Sequence, residues 1–389
     1  MERPKKSGAV AGLLDDPLVD ILSRVPVKEL HRSKCVSKGW RDLIADPLHR
    51  RKLPQTLEGF FHAGDFIRLF GGIPPHVDPS FPFLRKLPGI GMIWLKGSCN
   101  GLLLFRHAPS RTISYIVCNP ATEQWAAVPS EHTPADMHDG VSRTYLVFDP
   151  AVSSHFQLVT ICVEEGSLAT WHTYSSKTGV WRHNQTDWAE EEKQLGHWRG
   201  LNPKMSARVR AAFSNGMLYV MLSDDQVAVV DVEGKIQGII SAPSSGGRHS
   251  AGSPLFIGQS QGRLYCIFEK LWTDDFPSEL SVGVYTRGFD DDRHLLSYEA
   301  SRDYDVVAIH PDSNLVFIFL YGKQQLISFG LDSKEVRSLG TLEQDPLWFT
   351  PYVPCFLDFL SVPEHDEKLN GRHEPSRKDV IRAGERSVH

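Results

Sequence analysis

The chain has 389 residues, a formal net charge of −5, 41% hydrophobic and 23% charged residues. That length fits one large repeat domain with a small appendage, or two to three ordinary domains, and the composition supports a sizeable core. The sequence pI of about 6.4 carries no basic footprint, which argues against nucleic acid or an anionic membrane as partner.

The first stretch, MERPKKSGAVAG, has basic residues but no apolar run of useful length, so no secretory signal is read there and residues 1–12 are expected to be disordered. The strongest apolar run, LVFIFLY at 315–321, is strand-sized and too short for a bilayer. Cys35, Cys99, Cys118, Cys162, Cys266 and Cys355 lie far apart and form no C-x-x-C pair. Reduced, mostly buried thiols in a reducing compartment are the expectation, with neither disulfides nor structural zinc. The chain therefore reads as soluble and intracellular, in the cytoplasm and/or nucleus.

Residues 13–57 read as a small helical module. Asp16 suits an N-cap and Pro17 the first helical position, where its missing N–H costs nothing. Leu18, Ile21, Leu22 and Val25 then recur on one helical face, and Pro26 stops the helix because it disfavours α geometry in the residue before it. A short second helix carries Leu30. A third places Val36, Trp40, Leu43 and Ile44 at i, i+4, i+7 and i+8. Domains of this size seldom fold alone, so the apolar stripe is expected to bury itself against something else. The rest of the chain could supply that surface, and so could a partner protein, as in helix-in-groove recognition.

Leu13 to Ile44 resembles an F-box, the adaptor-binding module of SCF-type (Skp–cullin–F-box) ubiquitin ligases. DILSRVPVKEL and CVSKGWRDLI are similar to the two most recognisable segments of that family. The family usually opens with Leu-Pro and a Leu-Leu pair, and here Leu13-Leu14 and Pro17-Leu18 stand at those places, so Pro17 replaces a leucine. The resemblance implies that Leu14, Pro17, Leu18, Ile21, Leu22, Val25, Pro26, Leu30, Val36, Trp40, Leu43 and Ile44 form the adaptor-facing surface or the small core behind it. It also implies a Skp-type adaptor, and through it a cullin, as partners.

After residue 57 the texture changes to short runs of Val, Ile, Leu, Phe and Tyr punctuated by Pro and Gly, an all-β pattern. CNGLLLF, DPAVSSHFQLV, SNGMLYVM, SQGRLYCI and DSNLVFIF are turn-then-strand units about 50 residues apart. Second hairpins follow most of them: CNPATEQWAAVP and YSSKTGVWRHN keep Thr122 with Trp125 and Thr178 with Trp181, whereas VVDVEGKIQGI and SFGLDSKEVRSL lose the Trp. Four-stranded repeats of this length describe propeller blades, since one blade cannot bury both faces and a closed ring can. Residues 58–96 together with PYVPCFLDFLS are expected to complete a sixth blade. A β-sandwich with insertions is the alternative. Residues 58–362 resemble the F-box-associated, kelch-like β-propeller domains of plant F-box proteins, of the large grass-type families. The polar segment 363–389 is expected to be a disordered tail.

Little catalytic chemistry is legible. Gly258-Gln259-Ser260-Gln261-Gly262 matches the hydrolase pattern G-x-S-x-G, which needs a strand before and a helix after. RLYCIF follows instead, so a hairpin turn is expected. The 17 histidines form no metal-binding spacing, and no cofactor is implied. Trp188, Trp198, Arg199 and Trp272, in loop-like stretches, are candidate contacts to a target protein. The sequence thus predicts a mainly β chain: a three-helix F-box followed by a propeller of about six blades. Its expected role is that of a non-catalytic substrate receptor of an SCF ligase with an unknown target, no nucleic acid and no membrane. The competing readings are an F-box scaffold or regulator outside degradation, and a propeller enzyme or sugar-binding module whose helices brace the ring.

Overall fold

The computed structural model describes residues 15–25, 30, 33, 36–45, 49, 57–69, 77–86, 90–108, 114–129, 141–150, 152–163, 170–184, 211–223, 226–233, 235–241, 253–260, 263–270, 279–285, 289–297, 304–342 and 349–355. Leu14, Pro26, Trp188, Trp198, Arg199, Trp272 and both terminal segments lie outside the described residues.

Ahead of all described strands stand the helices α1 (Asp15–Ser23) and α2 (Lys38–Ala45), and Leu30, Ser33 and His49 are helical as well. Asp15 and Asp16 both occupy the first turn of α1, where carboxylates meet the positive end of the helix dipole. The helix thus begins one residue ahead of the cap expected at Asp16. Ser37 caps α2: its Oγ accepts a hydrogen bond from the Trp40 N–H at 3.1 Å.

The module differs from expectation in what covers its apolar stripe. Leu18, Val19, Leu22, Leu30, Leu43 and Ile44 are all buried and form one cluster, with Val25 and Trp40 packed at its edge. These residues of the stripe are covered within the chain, where they pack on one another, while Ile21 and Val36 of the same stripe stay exposed. Viewed one helix at a time, each apolar face lacks a partner. Brought together, the faces cover each other.

The remaining chain is built of antiparallel sheets. Strands β1 (Gly59–His62) and β2 (Asp65–Arg68) open it, followed by α3 (Pro82–Arg85). The first four-stranded sheet holds β3 (Met92–Cys99), β4 (Leu102–Ala108), β5 (Ser114–Asn119) and β6 (Gln124–Val128). The second holds β7 (Val141–Val147), β8 (Gln157–Val163), β9 (Thr170–Ser175) and β10 (Val180–Asn184). The third runs β11 (Ala211–Ser214), β12 (Met217–Ser223), β13 (Gln226–Asp231) and β14 (Ile236–Ser241). The fourth runs β15 (Ser253–Ser260), β16 (Arg263–Lys270), β17 (Glu279–Tyr285) and β18 (Phe289–Ser297). The fifth has β19 (Tyr304–Ile309), β20 (Leu315–Leu320), β21 (Gln325–Gly330) and β22 (Val336–Thr341). Last comes β23 (Phe349–Tyr352), which pairs not with its neighbours in sequence but with β1, in the order β2-β1-β23.

Each of the five repeat strands predicted from sequence is the second strand of a four-stranded sheet: β4, β8, β12, β16 and β20. Asn100-Gly101 and Asn215-Gly216 turn the first hairpins of their sheets with positive φ at both residues, the geometry of a type I′ turn. Residues 92–96 depart from expectation. They do not join the sheet of β1 and β2 but begin β3, because the tight Asn100-Gly101 turn delivers that strand directly onto β4.

Six apolar clusters link the sheets in a cycle. One joins the β1–β2–β23 sheet to the first four-stranded sheet, through Phe61 and Tyr352 against Leu103 and Phe105. The next joins the first and second sheets, through Leu104 and Val117 against Phe148 and Leu158. Trp171 and Val159 then meet Leu218 and Val230, Val227 meets Ile257 and Cys266, and Tyr265 meets Val316 and Ile318. The cycle closes where Leu57 and Phe60 pack on Phe317 and Phe319. Phe60 and Phe317 lie edge to face, with centroids 5.0 Å apart. Among the described residues the result is a closed ring of five four-stranded sheets and one three-stranded sheet built from both ends of the β region.

Polar bonds reinforce the seams. Trp181 Nε1 donates to the Pro129 carbonyl at 2.8 Å, tying β10 to the sheet before it. Asn100 Nδ2 donates to the Phe148 carbonyl at 2.7 Å. At the closure, Ser98 Oγ donates to the Pro351 carbonyl.

Candidate functional site

The helical module sorts its predicted residues into two groups. Leu18, Leu22, Leu30, Leu43 and Ile44 are core and therefore not free surface. Pro17 is exposed, Ile21 is 52% exposed and Val36 is 64% exposed. Val36, expected on the helix of Trp40, lies two residues ahead of it, because α2 begins at Lys38. Exposed apolar residues of this kind can offer a contact surface, whereas residues behind them set its shape. Val25 and Trp40 are half-buried and belong to both groups. An Asp20–Arg24 ion pair at 2.9 Å and the exposed Lys38 and Arg41 give this face a polar rim. Val19 was not singled out by the sequence reading, although it adjoins Leu18 and Leu22 on the helical wheel and is fully buried.

In the ring, the target contacts expected at Trp188, Trp198, Arg199 and Trp272 lie outside the described residues. An exposed tryptophan stands elsewhere, on a strand: Trp94 of β3 is 42% exposed, and Met92 two residues earlier is 69% exposed. Lys96 follows on the same strand with its ammonium pKa pushed down, first by burial and then by the charges of Arg106 and Arg143. Nothing in the sequence reading flagged this run, because MIWLKGSC reads as an ordinary amphipathic strand.

Ser260 of the G-x-S-x-G match ends β15 and faces Arg263 of β16 across the turn, and its buried Oγ donates to the Ser313 carbonyl at 3.4 Å. Strand–turn–strand is the geometry expected of a hairpin, not of a nucleophile elbow. Among the described residues no group of three or more His, Cys, Asp or Glu side chains gathers as a metal site, and no helix is long and apolar enough to cross a membrane. Cys99, Cys118, Cys162, Cys266 and Cys355 are free thiols. Burial pushes the Cys99 thiol up to about 12 and those of Cys118 and Cys266 higher still, so these thiols are poor nucleophiles. At the β19–β20 turn burial pushes the His310 imidazole down to about 4 and the Asp312 carboxyl up to about 6, and the Asp312 N–H donates to His310 Nδ1 at 3.1 Å.

A small helical module followed by a closed ring of antiparallel sheets is the architecture of a β-propeller protein with a helical N-terminal module. Residues 12–52 match the F-box domain family, and residues 80–369 match the family described as F-box protein At3g26010-like, beta-propeller. The second match covers well over half of the chain, and the protein belongs to that family.

Relatives agree. F-box/kelch-repeat protein At3g61590 of Arabidopsis thaliana is 26% identical over 363 residues, 84% of this chain and 83% of that one. F-box protein At5g07610 of the same plant is 29% identical over 201 residues, and the match spans 45% of this chain and under half, 46%, of that one. Among solved structures, the GH93 α-L-arabinofuranosidase of Fusarium graminearum bound to arabinobiose superposes with a TM-score of 0.41 at 9% identity, covering 76% of this chain and 87% of that one. A likeness that distant carries no argument about activity.

Proposed function

We propose that this chain is the substrate-recognition subunit of an SCF ubiquitin ligase, docking a Skp-type adaptor through its helical module and a target protein through its propeller. The observation that carries the reading is the buried helical core with Pro17, Ile21 and Val36 left at the surface. A module with a buried core that still exposes apolar side chains has surface to offer a partner. We count the three-stranded sheet as a sixth, kelch-like blade. The chain contributes no covalent chemistry in this reading. Its gain is proximity: holding a target beside a ubiquitin-charged conjugating enzyme raises the effective concentration of the target's lysines. Its place of action is the cytoplasm and/or nucleus, with neither nucleic acid nor membrane as partner.

The test is adaptor binding by pull-down or calorimetry, comparing wild type with an Ile21→Glu, Val36→Glu double variant. Both positions are exposed, so the module should keep its fold while its apolar contact surface is lost. Abolished binding with unchanged melting supports the reading. A well-folded wild type that binds no Skp-type adaptor overturns it.

A further inference from the structure

We propose that the exposed end of β3 is the target-binding patch of the propeller and that it takes an acidic segment of a partner protein carrying at least one large apolar side chain. The inference rests on the receptor reading above and names the chemistry of its target. Met92, Trp94 and Lys96 of one strand are all exposed: the strand's period puts Met92 and Trp94 along one side, and Lys96 follows two residues on. Arg106 of β4 stands directly opposite Trp94 in the antiparallel register. Arg143 comes from β7, the first strand of the next sheet, and lies close enough for its charge, with that of Arg106, to act on Lys96.

Hydrogen bonds tie the frame beneath together. Tyr115, opposite Arg106 on β5, accepts a hydrogen bond from Thr144 Oγ1 at 2.8 Å, and Thr144 Oγ1 lies 2.9 Å from Thr160 Oγ1. That chain bridges the seam between the two sheets at the level of the three cations.

Comparison of the repeats sharpens the point. The register of β3 on β4 skips one residue between Leu95 and Gly97, so Lys96 is the extra residue of a β-bulge. The first strands of the fourth and fifth sheets carry the same irregularity, and there the skipped residues are Leu255 and Val307. Val307 is only 2% exposed, part of the ring's packing. At the matching place in the fifth sheet the bulge residue is thus buried and apolar, whereas Lys96 is exposed. Bulges re-aim side chains and recur beside functional sites. Three cations gathered on a chain whose net charge is −5 oppose the prevailing sign, which favours an acidic partner at this place. Met92 and Trp94 supply the apolar anchor that charge alone lacks.

The experiment uses the full chain and two fluorescein-labelled synthetic peptides: a short one of Asp, Glu, Gly and Leu, and its counterpart with Asn and Gln in place of the acids. Fluorescence anisotropy should show saturable binding of the acidic peptide that weakens with added salt, and binding of the neutral one about tenfold weaker or less. Lys96→Glu and Arg143→Glu should each weaken the acidic peptide about tenfold, as should Trp94→Ala, whereas Lys177→Glu on the exposed β9–β10 turn should not. Should a reversal lower the melting temperature, Lys96→Gln and Arg143→Gln replace it. Equal affinity for both peptides, absence of binding by either, or indifference to the substitutions overturns the proposal. Adaptor pull-down of the same preparations separates the two readings: adaptor binding without acidic preference sinks the patch alone, and acidic preference without adaptor binding sinks the receptor and keeps the patch.

Discussion

Asn119 Nδ2 donates a hydrogen bond to the carbonyl of Cys355 at 2.7 Å, joining residues 236 positions apart. Both residues are buried, and Cys355 sits in the cluster that packs the first sheet against the second. The segment after β23 therefore continues past the closing sheet and is pinned inside the next seam. Asn119→Ala leaves a buried carbonyl without its donor and is expected to cost about 1–3 kcal/mol in chemical denaturation.

Gly101 meets the same segment from the other side. A Cβ there would lie 2.1 Å from the Cys355 Cβ and 2.9 Å from the Val353 carbonyl oxygen, at a φ of +93°. Clash and backbone strain act together, so Gly101→Ala is expected to destabilise by about 3 kcal/mol or more. Gly216, with φ of +74° in the equivalent turn of the third sheet, has nothing near its missing Cβ. Gly216→Ala should suffer the backbone strain alone, and the smaller loss should be visible as a higher denaturation midpoint than that of Gly101→Ala.

Leu22 and Ile21 are neighbours in sequence with opposite surroundings, 2% and 52% exposed. Leu22→Ala opens a cavity in a core of few residues and should cost about 2–5 kcal/mol, enough to unfold the helical module while the propeller still melts as in wild type. Ile21→Ala should stay within about 0.5 kcal/mol of wild type. Helical circular dichroism against β-region tryptophan fluorescence separates the two transitions.

The His310–Asp312 turn should give opposed pH dependences. Burial holds the His310 pKa at about 4, below its ordinary 6.5, so its stabilising share is complete above 6.5 and is lost as pH falls toward 4. Burial holds the Asp312 pKa at about 6, above its ordinary 3.8, so its share is complete below 3.8 and is lost as pH rises through 6. Between these limits the two changes counteract each other. Asp312→Asn removes one of them, and the variant should lose stability from pH 6.5 to 4 more steeply than wild type in denaturation at a series of pH values. A slope equal to that of wild type contradicts the assignment.

Thiol accessibility should follow burial. Cys118 and Cys266 are fully buried, with thiol pKa values raised by that burial, so both should resist an aromatic disulfide reagent in the native chain and react once it is unfolded. Mass mapping of the modified residues checks this.

Much of the architecture is local and was therefore legible. SNGML and CNGLL announce hairpins because Asn and Gly accept the positive φ of a type I′ turn, and the strands on either side alternate in the way a half-buried sheet demands. Leu18, Leu22, Leu43 and Ile44 were found by helical spacing for the same reason. Exposure was not legible. Ile21 and Leu22 are chemically alike, and only the position of α2 and Leu30 decides which of them faces inward.

By itself, then, the amino-acid order determined the helical module and the strand-and-turn repeat, because these depend on residues a few positions apart. Tertiary structure alone decided which residues of the helical stripe are buried together, that Phe349–Tyr352 pairs with Gly59–His62 to close the ring, and that Lys96 stands near Arg106 and Arg143. Each of those outcomes depends on contacts between residues far apart in the chain. Whether a face is buried, paired or left to a partner is set by what packs opposite it, and that neighbour is absent from any local pattern.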